Sequence, residues 1–177
     1  MKTKRPQRTA LVITIFSLVI IGTFVYLYYA DANPGVHLVI DWRFHVTIYD
    51  GGINQNLTIP ANIGVANGIW LNHTLDRFGP PGYAPLSTRD TSGTIYVQSI
   101  APRLFVLSDF FSIWGQIYNK TCVGYGSSSP YCSSTNPPFA SNGSHEYCLS
   151  YAVPPIDNGK EWEILIRSGL PGQATGC

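Results

Sequence analysis

Residues 44–52, with the sequence FHVTIYDGG, alternate apolar and polar side chains and end in an Asp-Gly-Gly turn. Such alternation is typical of a β-strand that is buried on one face. The turn directs the chain back toward a short segment, Leu57-Thr58-Ile59, that could pair with this strand. The sequence therefore predicts a β-hairpin. Residues 94–98, TIYVQ, alternate in the same way and predict a further strand.

One helix is predicted after these strands. Ser108 suits the N-cap position, and Asp109 beside it would face the positive end of the helix dipole. An apolar stripe at helical spacing should face the sheet. The stripe consists of Phe110, Ile113, Trp114 and Ile117.

The last part of the chain predicts two closing strands, residues 146–151 and 162–167. The predicted order along the chain is hairpin, strand, helix, strand and strand, which is an α+β arrangement. We predict a small β-rich domain with β-grasp-like topology, and a β-sandwich with one helix is the alternative. Residues 61–91, which include a Gly-Pro-Pro-Gly segment, are expected to form a functional loop or to pack as an Ω-loop.

An uncharged run, residues 10–30, precedes this domain. At about 1.5 Å per residue the run spans roughly 30 Å, which is the thickness of a hydrocarbon core. The run therefore predicts a transmembrane helix. Basic residues in the preceding tail, 1–9, predict a cytoplasmic N-terminus, so the domain at 36–177 should be extracytoplasmic in a cell membrane. A signal peptide cleaved after Ala32 is the alternative.

The residues from Asp31 onward comprise ten acidic and seven basic residues, a formal charge of −3. No basic cluster occurs beyond the N-terminal tail, which argues against nucleic acid as a partner. Four sequons lie in the same part of the chain and predict glycosylation at the surface. Their acceptors are Asn56, Asn72, Asn119 and Asn142.

The four cysteines are all placed in the predicted exported domain, where an even count indicates two disulfides. Three pairings are possible. We favour Cys122 with Cys132, which leaves Cys148 with Cys177. A zinc site is disfavoured because no Cys-x-x-Cys motif occurs.

Motifs of catalysis are missing from the sequence. It contains no Gly-x-Ser-x-Gly, no His-Glu-x-x-His, no P-loop and no dinucleotide-binding fingerprint. The four histidines show no ligand spacing among themselves. We therefore predict that the protein is not an enzyme and has no cofactor.

Three short motifs carry a resemblance to a known family. They are IPANIG at 59–64, DTSGTI at 90–95 and FFSIWG at 110–115. Together they resemble a family of uncharacterised extracytoplasmic proteins, mainly archaeal, that have a single membrane anchor. The resemblance covers roughly residues 41–119.

Members of that family carry histidine clusters just before the second and third strands and a further histidine within the third strand. These histidines imply a copper or zinc site. Here only His45 and Asp90 remain of that set, and Tyr96 occupies the strand position. Arg43 and Arg89 would place positive charge where a cation should bind. The resemblance thus implies a scaffold that has lost most of its metal ligands.

The leading hypothesis is a non-catalytic accessory subunit that binds another membrane or envelope protein. An aromatic content of 13% is compatible with an interface, since aromatic anchors dominate protein association. The four tryptophans are Trp42, Trp70, Trp114 and Trp162, of which we expect at least the last two in the core. The alternative is a copper or zinc binder that uses His45 and Asp90 with His37 or His73.

Overall fold

The structure is a computed structural model that describes residues 6–32, 36–126, 129–143, 145–149, 156 and 158–166. In the first helix it describes the side chains of residues 14–27 only. Contacts divide the chain into two units, Met1–Val36 and His37–Cys177.

The first unit contains helix α1, Pro6–Ala32. Its polar Thr23 donates its hydroxyl to the carbonyl oxygen of Val19, so this hydroxyl is satisfied within the helix. Among the residues that the structure describes, no helix is long and apolar enough to cross a membrane. The predicted span, 10–30, extends beyond the described side chains at both ends and stays a prediction.

The second unit is α+β, as predicted, and is built on a mixed sheet. Its elements are β1 (Ile40–Asp50), β2 (Gln55–Leu57), a 3₁₀ turn (Asp76–Phe78), β3 (Leu86–Thr88), β4 (Thr94–Ser99), α2 (Leu107–Trp114), β5 (Cys122–Val123), β6 (Tyr131–Cys132), β7 (Phe139–Ser141), β8 (Glu146–Cys148) and β9 (Glu161–Ile166). Seven strands form one sheet in the order β3-β4-β1-β9-β7-β8, and β2 also pairs with β1. Strand β1 is antiparallel to β4 and parallel to β9.

The predicted hairpin is confirmed, but its second strand is Gln55–Leu57, which shares only Leu57 with the predicted segment 57–59. Strand β1 pairs with β2 through Ile48 and Leu57, and the Asp50 carboxylate accepts the amide hydrogen of Gly52 at 2.9 Å. The alternation predicted for β1 also holds, because Phe44, Val46 and Ile48 are buried while the residues between them are half-buried. Strand β4 matches the predicted 94–98 with one more residue.

Helix α2 begins earlier and ends earlier than the sequence predicts. The N-cap is Val106, so the prediction of Ser108 was wrong, and Ser108 lies within the helix. Asp109 stabilises this start because its carboxylate accepts the amide hydrogen of Val106 at 3.0 Å. Gly115 ends the helix with a φ of 75°, which excludes Ile117 from the predicted stripe.

The core lies between helix α2 and the sheet. Phe110, Phe111, Ile113 and Trp114 are all buried on the helix side. Trp162 of β9 is buried as well, so the expectation for these two tryptophans is confirmed. The residues 61–91 also contribute to the core through Ile63, Leu75 and Ala84, in agreement with the packed-loop alternative. The sequence did not predict strand β3 within that segment.

The closing strands occur near their predicted positions, as β8 and β9. Cys122 and Cys132 are directly opposite each other in β5 and β6 and form the predicted disulfide. Cys148 is disulfide-bonded too, and its predicted partner, Cys177, lies outside the described residues. Apart from the large sheet, the described residues form only the two-stranded β5–β6 sheet, so two large facing sheets are not found there.

Candidate functional site

The sheet has a core face and a second face, here called the outer face. The outer face of β1 carries the residues between the buried ones, such as Arg43 and His45. Cross-strand register places Tyr96 of β4 beside Arg43, and Glu161 of β9 beside His45. None of these four side chains is fully buried. They form a polar and aromatic surface on the central strands.

His45 is held against the turn that precedes β4. Its Nε2 lies 2.7 Å from the carbonyl oxygen of Ser92. A carbonyl only accepts hydrogen bonds, so Nε2 carries the proton and donates it. The amide hydrogen of Val46 is donated to the carbonyl of Gly93, the next residue of the turn, at 2.9 Å. His45 therefore has a fixed orientation with only Nδ1 available as a lone-pair ligand.

Asp90 stabilises the same turn from the solvent side. Its carboxylate accepts the amide hydrogen of Ser92 at 2.9 Å. Hydrogen bonds from the Ser92 side chain and backbone lower the pKa of Asp90, because they favour the charged carboxylate. This contribution to stability is present above the carboxyl group's unfolded pKa and is lost as the pH falls through the folded value. His45 and Asp90 thus both bind Ser92, one at its carbonyl and one at its amide.

A second cluster on the outer face surrounds Tyr96. The guanidinium of Arg89 stacks over the Tyr96 ring at 4.0 Å from the centroid and lies 3.4 Å from the Gln98 side-chain oxygen. Gln98 in turn donates to the Asp41 carboxylate at 3.1 Å. Arg43, the cross-strand neighbour of Tyr96, is exposed. The Arg89 guanidinium, one of the two predicted to repel a cation, therefore belongs to an aromatic cluster.

A cleft of about 360 Å³ lies beside His45. Glu161 and Glu163 of β9 line it together with His45 and Thr47. No motif in the sequence marks these two glutamates as site residues. Their alternation around Trp162 places both on one face, but only the parallel pairing of β1 with β9 brings them next to His45.

The structure does not assemble the metal site of the alternative hypothesis. His73 lies 2.8 Å from the Asp76 carboxylate and stacks on Trp70, so it has other partners than His45. His37 is exposed just before β1. Within the described ranges, no group of three or more His, Cys, Asp or Glu side chains could hold a metal ion.

We expect no stoichiometric uptake of Cu(II), Cu(I) or Zn(II) that depends on His45, because Nδ1 of His45 is not joined by two further His, Cys, Asp or Glu ligands among the described residues. Equilibrium dialysis of the full chain, followed by metal analysis, measures this. The comparison is His45→Ala against His73→Ala, which removes an exposed histidine with a different partner. One bound metal per chain that disappears only in the His45 variant would contradict this expectation and revive the metal hypothesis.

The predicted glycan acceptors differ in their environments. Asn56 is exposed in β2, whereas the side-chain nitrogen of Asn72 donates to the Ser112 hydroxyl at 2.6 Å. The Asn119 side-chain oxygen accepts the amide hydrogen of Thr121 at 3.0 Å. Asn142 is described, but the last residue of its sequon lies outside the described residues. Occupancy of the four sequons stays a prediction.

The tryptophans do not form an exposed anchor. Trp114 and Trp162 are buried, and Trp42 and Trp70 are half-buried against the core. On the outer face, the half-buried Tyr96 lies beneath the Arg89 guanidinium.

Comparison with models of protein families, with curated proteins and with solved structures finds no match for this chain. The resemblance of its three motifs to the membrane-anchored family therefore stays a prediction.

Proposed function

We propose that this protein is a non-catalytic, membrane-anchored extracytoplasmic protein whose outer face binds another membrane or envelope protein. The observation that carries the proposal is the cluster around Tyr96. Arg89 stacks on the ring and Gln98 connects to Asp41, so these side chains are already ordered before a partner arrives. Ordered side chains reduce the entropy cost of association.

The composition of this cluster also suits a protein partner. Tyrosine and arginine are enriched among residues that contribute most to association, especially where they are packed together. Arg43 and Arg89 give the cluster positive charge, and Glu161 and Glu163 give the neighbouring cleft negative charge. A partner with a complementary pair of charged regions would bind in one register.

Two further parts of the proposal rest mainly on the sequence. The apolar run at 10–30 after a basic tail supports a single membrane span with the domain outside. The parallel pairing of β1 with the last strand, β9, supports a β-grasp-like topology. A small anchored domain with an ordered, open sheet face fits an accessory subunit of a membrane complex.

Replacing Tyr96 with alanine is expected to weaken the complex by roughly 30-fold, since truncation of a central interface tyrosine costs about 2 kcal/mol. Blue-native electrophoresis of mildly solubilised membranes measures the fraction of chain in the complex over a dilution series. Tyr83→Ala is the matched control, because Tyr83 is also a partly accessible tyrosine but lies in a turn before β3.

The proposal has two distinct ways to fail. Migration of the unaltered chain as an isolated monomer would contradict the existence of a complex. Equal losses in the Tyr96 and Tyr83 variants would place the interface elsewhere than the outer face.

A further inference from the structure

The outer face becomes apolar at one end. The amide of Val39 donates to the Ser99 carbonyl at 2.8 Å, one residue before the pair formed by Ile40 and Ser99. Val39 directly precedes β1 and Ile100 directly follows β4, so both residues lie at this end of the sheet. Both side chains are exposed, Val39 to 53% and Ile100 to 41%.

Basic and aromatic residues surround this pair. The amide of Ile100 donates to the Phe78 carbonyl at 2.9 Å. Two guanidinium groups stack on the Phe78 ring, that of Arg77 at 4.8 Å and that of Arg103 at 5.0 Å from its centroid. Leu104, next to Arg103, is 72% exposed. We call Val39, Ile100, Leu104, Arg77 and Arg103 the entry patch.

Along β1 and β4, the outer face beyond this end carries polar and aromatic side chains. The next cross-strand pair along the outer face, Asp41 with Gln98, is polar and hydrogen-bonded. The pair after that is Arg43 with Tyr96. Exposed aliphatic side chains also occur elsewhere in the second unit, at Ile53, Leu71 and Ile117. At this end three of them adjoin two guanidinium groups.

We propose that the entry patch lies in the headgroup layer of a phospholipid bilayer. This inference rests on the membrane anchor in the proposed function. Three residues, 33–35, connect Ala32 to Val36, and an extended chain spans at most about 3.6 Å per residue. A helix that spans the bilayer at 10–30 therefore keeps the start of the second unit within a short reach of the headgroups.

The chemistry of the entry patch fits lipid better than a protein partner. Aliphatic side chains enter the boundary between headgroups and acyl chains, and guanidinium groups bind phosphates there. Arg103 is also paired with Asp109 at 3.1 Å, while Arg77 has no carboxylate partner among the described residues. We therefore assign Arg77 as the main phosphate contact.

Photolabelling of the full chain in lipid vesicles tests the proposal. The vesicles contain phosphatidylcholine and phosphatidylglycerol, with a small fraction of a phospholipid that carries a photoactivatable diazirine in its headgroup. Mass spectrometry then locates the label in peptides. We expect label at the ends of the helix and on peptides that contain Val39 or residues 100–104.

Two variants identify the contact. Val39→Glu and Leu104→Glu are each expected to reduce labelling of the entry patch by roughly tenfold, because a charged side chain replaces an inserted aliphatic one. The matched control is Ile53→Glu, since Ile53 is 52% exposed but lies in the β1–β2 turn. Arg77→Gln should reduce labelling by on the order of fivefold in anionic vesicles.

The outcomes separate this inference from the proposed function. Label at the helix ends without label on the entry patch overturns the inference and leaves the anchor intact. Label in neither region overturns both. A loss of patch labelling in Ile53→Glu equal to that in Val39→Glu also overturns the inference, because the position of the charge would then not matter.

Discussion

Replacing Trp114 with alanine is expected to lower the free energy of unfolding by about 3–5 kcal/mol, the range for large aromatic truncations in a core. Trp114 is 1% exposed and packs between helix α2 and the sheet. Its ring lies 5.9 Å from that of Phe110 and 5.7 Å from that of Phe111, so truncation leaves a cavity among rigid neighbours. Urea unfolding of the full chain in mild detergent, followed by near-ultraviolet circular dichroism, measures the loss.

Trp70→Ala is the control for this prediction. Trp70 is only half-buried, and its indole nitrogen donates to the Asn72 carbonyl at 3.2 Å. It packs on His73 at the border of the core, so its truncation should cost roughly half as much or less. Equal destabilisation by the two substitutions would mean that Trp114 is not at the centre of the core.

The elements that sequence predicted well are those that depend on local patterns. The β1–β2 hairpin follows from alternation along β1 and from the turn formed by Asp50 and two glycines. Strand β4 follows from alternation alone. In both cases the burial of every second side chain fixes the strand by itself, because a shift of one residue would expose the apolar set.

Helix α2 shows where a local signal was misread. A serine is a common N-cap, and the sequence therefore predicts Ser108 at that position. The actual start depends on Asp109 at the third helical position, whose carboxylate binds the Val106 amide. This half of a capping box was present in the sequence. The early end at Gly115 was also visible, since glycine in the left-handed conformation commonly ends helices.

The candidate site was predicted only in part because its partners are distant in sequence. The motif resemblance indicated His45 and Asp90, and both bind the turn at Ser92. Glu161 and Glu163 reach His45 only through the parallel pairing of β1 and β9, which no local pattern specifies. The Arg89 to Tyr96 stack likewise depends on the pairing of β3 with β4.

Replacing Gly93 with alanine is expected to destabilise the second unit and to disturb the outer face together. Gly93 has a φ of 84°, which alone costs a residue with a side chain about 1–3 kcal/mol. An added Cβ would also collide with the Val46 carbonyl oxygen and press on His45 Nε2 at 3.2 Å. Urea unfolding measures the stability, and the nitrogen chemical shifts of the His45 ring report whether its bond to Ser92 persists.

Gly82→Ala separates the cost of the positive φ from the cost of the collision with β1. Gly82 has nearly the same φ, 82°, but no heavy atom lies within 4 Å of an added Cβ. This control should therefore show the backbone cost alone, and the excess in Gly93→Ala measures the collision with β1. If the two variants lose the same stability although the His45 chemical shifts change only in Gly93→Ala, the bond between the turn and His45 contributes no stability to the second unit. The ordered state of the outer face would then need another cause, and the aromatic cluster at Tyr96 would have to maintain it alone.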